Sequence, residues 1–173
     1  CAGVTTYNAL RNSGLRSGDL VAVQGIGGLG HLGVQYARQM GFRTVAIARG
    51  RDKEKLTKDL GAHVFIDAAA EDAAGALFRM GGARAILATG TSGEAMAALV
   101  PGLAARGKLL VVGAPGDPIP LIATTLIFGG RSIHGSLTGT PIECEDTLGF
   151  SVLANIRPMI ETVPLEKAAD AYA

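Results

Sequence analysis

Gly25, Gly27 and Gly30 stand at G-x-G-x-x-G spacing, directly after the apolar run Val21-Ala22-Val23-Gln24. In this pattern each glycine has a separate physical task. The first lets the chain turn sharply out of a strand. The second leaves the backbone open to a pyrophosphate, and the third lets the following helix pack close to the strand. A helix opening at that point offers unpaired N–H groups and the positive end of its dipole to the phosphates. With Gly28 and Leu29 completing the loop, the chemistry implied is the cradling of a dinucleotide.

The flanking elements suit that task. Leu29, Leu32, Gly33, Tyr36, Ala37 and Met40 form one apolar helical stripe, Gly41 closes it, and Thr44-Val45-Ala46-Ile47-Ala48 reads as a second strand. Strand, glycine loop, helix and strand make the βαβ unit that the motif requires. Folds that bind NAD usually end this second strand on Asp or Glu, about twenty residues past the glycines, to hold the ribose hydroxyls. Here the position is Ala48, followed by Arg49-Gly50-Arg51-Asp52-Lys53. A carboxylate there would repel a 2′-phosphate, whereas a guanidinium binds one bidentately. The expected cofactor is therefore NADP, with Arg49 its main 2′-phosphate ligand and Arg51 in support. NAD is the alternative, with the arginines then forming a solvated basic turn.

Composition bounds the rest. The chain has 173 residues, 48% of them hydrophobic, and a net charge of +1. That is one globular domain with a substantial core, and nothing in the charge points to nucleic acid or a membrane surface. The apolar runs are too short to span a bilayer, and signal-peptide organisation is absent. Two cysteines, Cys1 and Cys144, are too few for a disulfide framework. A cytoplasmic location is expected. A Cys start and a helical pattern running to Ala173 read as a piece of a longer protein.

Strand patterns lie near 19–24, 43–48, 62–67, 84–88, 108–113 and 131–137. Helical patterns lie near 3–13, in the glycine-loop helix, and at 52–60, 70–79, 94–100 and 143–154, with an apolar segment at 121–128 and an extended one at 158–164. The alternation predicts an α/β fold, a doubly wound, six-stranded, Rossmann-like parallel sheet. Its ligand crevice lies at the carboxyl ends of the strands, where Gly25–Gly30, Arg49, Thr89 and Val112-Gly113-Ala114 all fall. His31 is a candidate phosphate contact or a structural histidine. His63 and His134 read as structural, and Cys144 as buried on an amphipathic helix. No hydrolase nucleophile motif or P-loop is present.

Cys1-Ala2-Gly3-Val4-Thr5-Thr6-Tyr7, the glycine loop with Val34-Gln35-Tyr36-Ala37, Val111-Val112-Gly113 and Gly135-Ser136 occur in a telling order and spacing. Over almost its whole length the chain resembles the cofactor-binding domain of medium-chain, zinc-dependent alcohol dehydrogenases, in particular the bacterial and yeast-type alcohol and aldehyde reductases. The resemblance implies that Cys1 is one ligand of a catalytic zinc, the other ligands and the proton relay lying in an upstream domain outside this chain. This piece by itself would then be inactive and hold no zinc. By the same resemblance Thr5 packs beside the nicotinamide, and Val112, Gly113 and Ala114 contact its ring and carboxamide. Ser136 and Leu137 hold the carboxamide through their backbone, and Lys53 lies near the adenosine ribose. It implies interconversion of an alcohol with an aldehyde or ketone by hydride transfer, with zinc polarising the oxygen. It also implies a homodimer or homotetramer paired along the edge that Leu126–His134 would form. NADPH-preferring relatives likewise carry a small and then a basic residue where Ala48 and Arg49 stand. Alternatives are a zinc-independent quinone or enoyl reductase, against which Cys1 argues, and a non-catalytic nucleotide-sensing module. A methyltransferase would usually need an acid at the end of the second strand.

Overall fold

The computed structural model describes residues 1–172. The elements run α1 (Ala2–Arg11), β1 (Leu20–Gln24), α2 (Gly30–Gln39), β2 (Arg43–Ala48), α3 (Glu54–Asp59), β3 (Val64–Asp67), α4 (Ala73–Arg79), β4 (Ala83–Ala88), α5 (Gly93–Ala97), β5 (Leu103–Val111), α6 (Ala123–Ile127), β6 (Ser132–Gly135), α7 (Pro141–Leu153) and α8 (Ala168–Tyr172). Ala173, where the helical pattern was read to its end, lies outside the described residues.

All six strands are parallel, in the order β3-β2-β1-β4-β5-β6. The chain winds outward from β1 through β2 to β3, then returns to lay β4 against the other side of β1. The expected doubly wound sheet is what forms, with its switch point between β1 and β4. The strands are buried on both faces, as the apolar runs require: Val21, Ala22, Val23, Ile86 and Leu87 are all fully buried. On one face α1 and α2 cover Val21, Val23, Leu87 and Leu110, with Tyr7, Tyr36 and Phe150 clustered at 5.2–6.2 Å between ring centroids. On the other face Leu77 and Met96 cover Ala22, Ile47, Ile86 and Leu109.

Several boundaries differ from the sequence reading, each for a local reason. β5 starts at Leu103, not 108, because its first residues pair with Ala83 before the register shifts; Arg106 takes a φ of 58° there. The helix expected over 94–100 stops at Ala97, and a single 3₁₀ turn, Val100–Gly102, follows with Pro101 inside it. The apolar segment 121–128 contains the short helix α6, and 158–164 joins no strand.

Cys144 is a correction: it is exposed. α7 packs on α1 through Thr147 and Phe150, while Leu148, Val152 and Leu153 on its other positions are 67%, 82% and 89% exposed. An apolar helix is buried only along the stripe that meets a neighbour, and Cys144, one turn before Thr147, sits at the rim of that stripe, where it lines an open groove with Cys1 and Ala2.

Candidate functional site

The glycine loop sits at the switch point, where Gly25 makes the sharp turn and Gly30 the close packing, and Gly27 is left open. Gly25 has φ +85°, and a Cβ there would stand 3.1 Å from the Gly90 nitrogen. Around Gly27 and Gly28 a Cβ would meet nothing within 4 Å, so the loop's outer surface is open. At Gly30 a Cβ would lie 1.8 Å from the Gly25 carbonyl oxygen. The first turn of α2 therefore rests directly on the end of β1, and Leu29 opens the helix without a side-chain cap. An anion is a natural partner for amides left in this state.

A cleft of about 490 Å³ opens beside the loop, across the ends of β1 to β4. Gly25, Ala48 and Arg49 line it, as read from the sequence. Arg49 is exposed and forms no ion pair or hydrogen bond among the described residues. Arg51 also is exposed, but its guanidinium lies 3.4 Å from Glu54. Lys53 donates from Nζ to the Ile26 carbonyl at 2.5 Å, so it bridges the start of α3 to the loop. The Thr89 hydroxyl lies 2.7 Å from the Gly25 carbonyl and 3.0 Å from that of Gln24. Its single proton is thus engaged under the loop, and its place is that of a support.

Glu71, Asp72, Thr91 and Ser92 also line the cleft, and the sequence reading missed them. Only the sequence-distant loops after β3 and β4 carry them there. Glu71 lies 3.4 Å from Arg79, and Asp72 caps α4 by accepting the Ala74 N–H at 3.0 Å.

Asp67 was missed as well. In register it stands opposite Ala48, one strand across from the position where an acid was expected. Its Oδ1 accepts the Gly50 N–H at 2.7 Å and the Ala69 N–H at 2.9 Å, so it pins the turn that carries Arg49. Those backbone bonds, Ala69 first, hold its carboxyl below the usual aspartate range. A lowered folded-state pKa contributes stability above the unfolded value, and that stability is lost as pH falls through the folded one. Asp67→Asn is accordingly expected to lower the thermal midpoint at neutral pH and to flatten its decline below the ordinary aspartate range. Parallel acid profiles for variant and wild type would show that the carboxylate does not hold this turn.

The residues assigned to the nicotinamide side gather at the ends of β5 and β6. Val112 and Gly113 both donate to the Ala88 carbonyl, at 3.1 and 3.0 Å, and Ser136 donates to that of Val111 at 3.0 Å. A Cβ on Gly113 would lie 2.0 Å from the Gly90 carbonyl. Ala114 is exposed, and Leu137 is 90% exposed. Thr5 is buried and donates its hydroxyl to the Cys1 carbonyl at 2.9 Å. The Cys1 sulfur lies 3.9 Å from the Thr5 hydroxyl and 4.0 Å from that of Thr138, while Asn8 donates to the Thr138 carbonyl. The start of α1 and the segment after β6 therefore adjoin. Among the described residues, no three His, Cys, Asp or Glu side chains form a metal-holding group. Zinc does not fit this chain alone, since a catalytic site needs three protein ligands.

His31 is buried and bonded at both ring nitrogens. His63 sits just before β3, where its Nδ1 accepts the Thr44 N–H and its Nε2 lies 2.7 Å from Arg38. His134 is exposed on β6. Among the described residues, no helix is long and apolar enough to cross a membrane.

With this geometry in view, the similarities to known proteins are consistent. A family model described as zinc-binding dehydrogenase matches residues 28–152. The chain is 44% identical over 172 residues to the alcohol dehydrogenase notN of Aspergillus sp. (strain MF297-2), covering 99% of this chain and 50% of that protein. It is 38% identical over 173 residues to an alcohol dehydrogenase of Geobacillus stearothermophilus, covering 99% of this chain and 51% of that protein. The chain thus spans about half the length of the curated relatives it matches. Among solved structures, the alcohol dehydrogenase of Aeropyrum pernix superposes with a TM-score of 0.88 at 26% identity, covering 98% of this chain and 51% of that one. CAD from Helicobacter pylori, complexed with NADP(H), superposes at 0.80 and 28% identity, covering 99% and 48%.

Proposed function

This chain belongs to the zinc-binding dehydrogenase family, and from that premise we propose that residues 1–173 are the NADP(H)-binding domain of an enzyme that interconverts alcohols with aldehydes or ketones. The observation that carries the reading is the open glycine loop at the switch point, beside a cleft lined by the unpaired Arg49. The NADP(H) held by the Helicobacter pylori relative supports the same choice of nucleotide.

In this reading the loop amides hold the pyrophosphate and Arg49 holds the 2′-phosphate, with Arg51 assisting. Lys53 lies beside the adenosine ribose. Thr5, Val112, Gly113, Ala114, Ser136 and Leu137 orient the nicotinamide, whose C4 supplies the hydride chemistry when bound. In the same reading most of the substrate pocket, and the partners that would turn the Cys1 thiolate into a metal ligand, belong to parts of the protein other than residues 1–173. Zinc addition or chelation is therefore expected to leave the thermal midpoint of this chain unchanged, because a structural metal would couple to folding. A rise in midpoint on adding zinc would overturn that expectation. β6 forms one edge of the sheet, and Ile127 and Phe128 beside it are 68% and 87% exposed. An edge of this kind is suited to pairing with a second copy, so a homodimer or homotetramer is the proposed assembly.

The deciding experiment is calorimetric titration of the chain with NADPH and with NADH at low salt. NADPH binding at least about tenfold tighter, or about 1.4 kcal/mol, supports the reading. Equal affinities would keep the dinucleotide fold and return Arg49 to the status of a surface charge.

A further inference from the structure

We infer that His31 is a positioning residue for phosphate binding, and that it also couples the glycine loop to the segment after α7. The inference rests on the dinucleotide reading of the loop.

His31 is 8% exposed. Its Nε2 lies 3.1 Å from the Met159 backbone nitrogen, which only donates. Nε2 must therefore be the bare acceptor, and the ring proton sits on Nδ1. Nδ1 lies 3.0 Å from the Gly27 carbonyl and donates to it. The same carbonyl accepts the backbone N–H of His31 at 3.1 Å. In a trans peptide the C=O and the following N–H point in opposite directions. Holding the Gly27 carbonyl against His31 thus turns the Gly28 N–H the other way. That N–H has no hydrogen-bond partner among the described residues, and Gly28 is exposed.

The neighbouring carbonyls are held in the same manner. The Gly25 carbonyl accepts from the Thr89 hydroxyl, and the Ile26 carbonyl from Lys53. Three successive oxygens that would repel a phosphate are thereby tied by side chains from three different parts of the fold. His31 alone among the three also reaches the later chain. There the Gln35 amide group exchanges hydrogen bonds with the Arg157 backbone at 3.0 and 3.2 Å, and Met159 closes the contact on the imidazole. The loop and residues 157–159 are thus anchored through one ring.

The test compares His31→Leu, His31→Asn and His31→Gln in the 173-residue chain. An asparagine amide reaches where Nδ1 stands, and a glutamine amide reaches where Nε2 stands. Binding of NADPH is measured beside that of 2′-AMP, which lacks the pyrophosphate. Amide exchange at residues 31 and 159 is followed without nucleotide. His31→Leu is expected to weaken NADPH about tenfold while leaving 2′-AMP unchanged, and to speed exchange at both amides. His31→Asn should restore NADPH to within about threefold and protect residue 31, but not Met159. His31→Gln should do the reverse. Unchanged NADPH affinity in His31→Leu would overturn the proposal. So would failure of His31→Asn to recover it, or a parallel loss of 2′-AMP, which would mark a merely structural role. If the wild type bound neither nucleotide, the dinucleotide reading would fail. Exchange at residue 31 would then decide the carbonyl hold by itself: sped by leucine and restored by asparagine, it stands; unmoved, it falls.

Discussion

Gly30→Ala is expected to destroy nucleotide binding and to destabilise the chain at the same time. The added methyl would stand 1.8 Å from the Gly25 carbonyl oxygen and 2.8 Å from its carbon, both backbone atoms that no rotamer change can move. Gly25 cannot retreat, because it is wedged against Thr89 and Gly90 in a positive-φ conformation. The first turn of α2 must back away from the sheet and take with it the amides proposed to hold the phosphates. Overpacking of this kind costs about 1–3 kcal/mol, which for a chain of this size lowers the thermal midpoint by roughly 2–12 °C. Gly27→Ala is the informative contrast. Its methyl would meet no atom within 4 Å, so the midpoint should hold while phosphate approach is obstructed. Melting curves and NADPH titrations on both variants check this. A Gly30→Ala chain with the wild-type midpoint and affinity would mean that the loop does not rest on β1 as described.

Arg49→Ala is expected to weaken NADPH by about 1.5–3 kcal/mol, roughly 10- to 150-fold, and to change NADH by less than about twofold. The asymmetry follows from charge. Arg49 lines the cleft with no acid paired to it among the described residues, so its guanidinium is available to an incoming phosphate. Arg51 is held by Glu54, and Arg51→Ala should therefore produce the smaller loss. The preference should also shrink as salt is raised, since an exposed charge pair is screened. Equal losses for the two nucleotides would remove Arg49 from the 2′-phosphate site. Affinity unchanged for both would return the whole basic turn to solvent.

The nicotinamide side shows how far reading along the chain reaches. Cys1 and Thr5 are one helical turn apart, and their proximity needs only α-helical geometry. The approach of Thr138 to the same sulfur brings residues 137 positions apart in sequence to 4.0 Å. No local pattern announces such a contact.

The same division runs through the whole molecule. By itself the sequence determined the strand–loop–helix–strand unit, the sharp turn at Gly25 and the close packing at Gly30, the six parallel strands and the absence of an acid at Ala48. All of these are properties of neighbouring residues, expressed through hydrophobic period and the missing Cβ of glycine. Tertiary structure alone decided that Asp67 pins the Arg49 turn, that Thr89, Lys53 and His31 hold three loop carbonyls, and that Cys144 faces outward. The reason is physical: each depends on which strand lies beside which, and on where a crossover returns the chain. A hydrogen bond between distant residues is specified by that placement, and nothing in either residue's own surroundings in sequence records it.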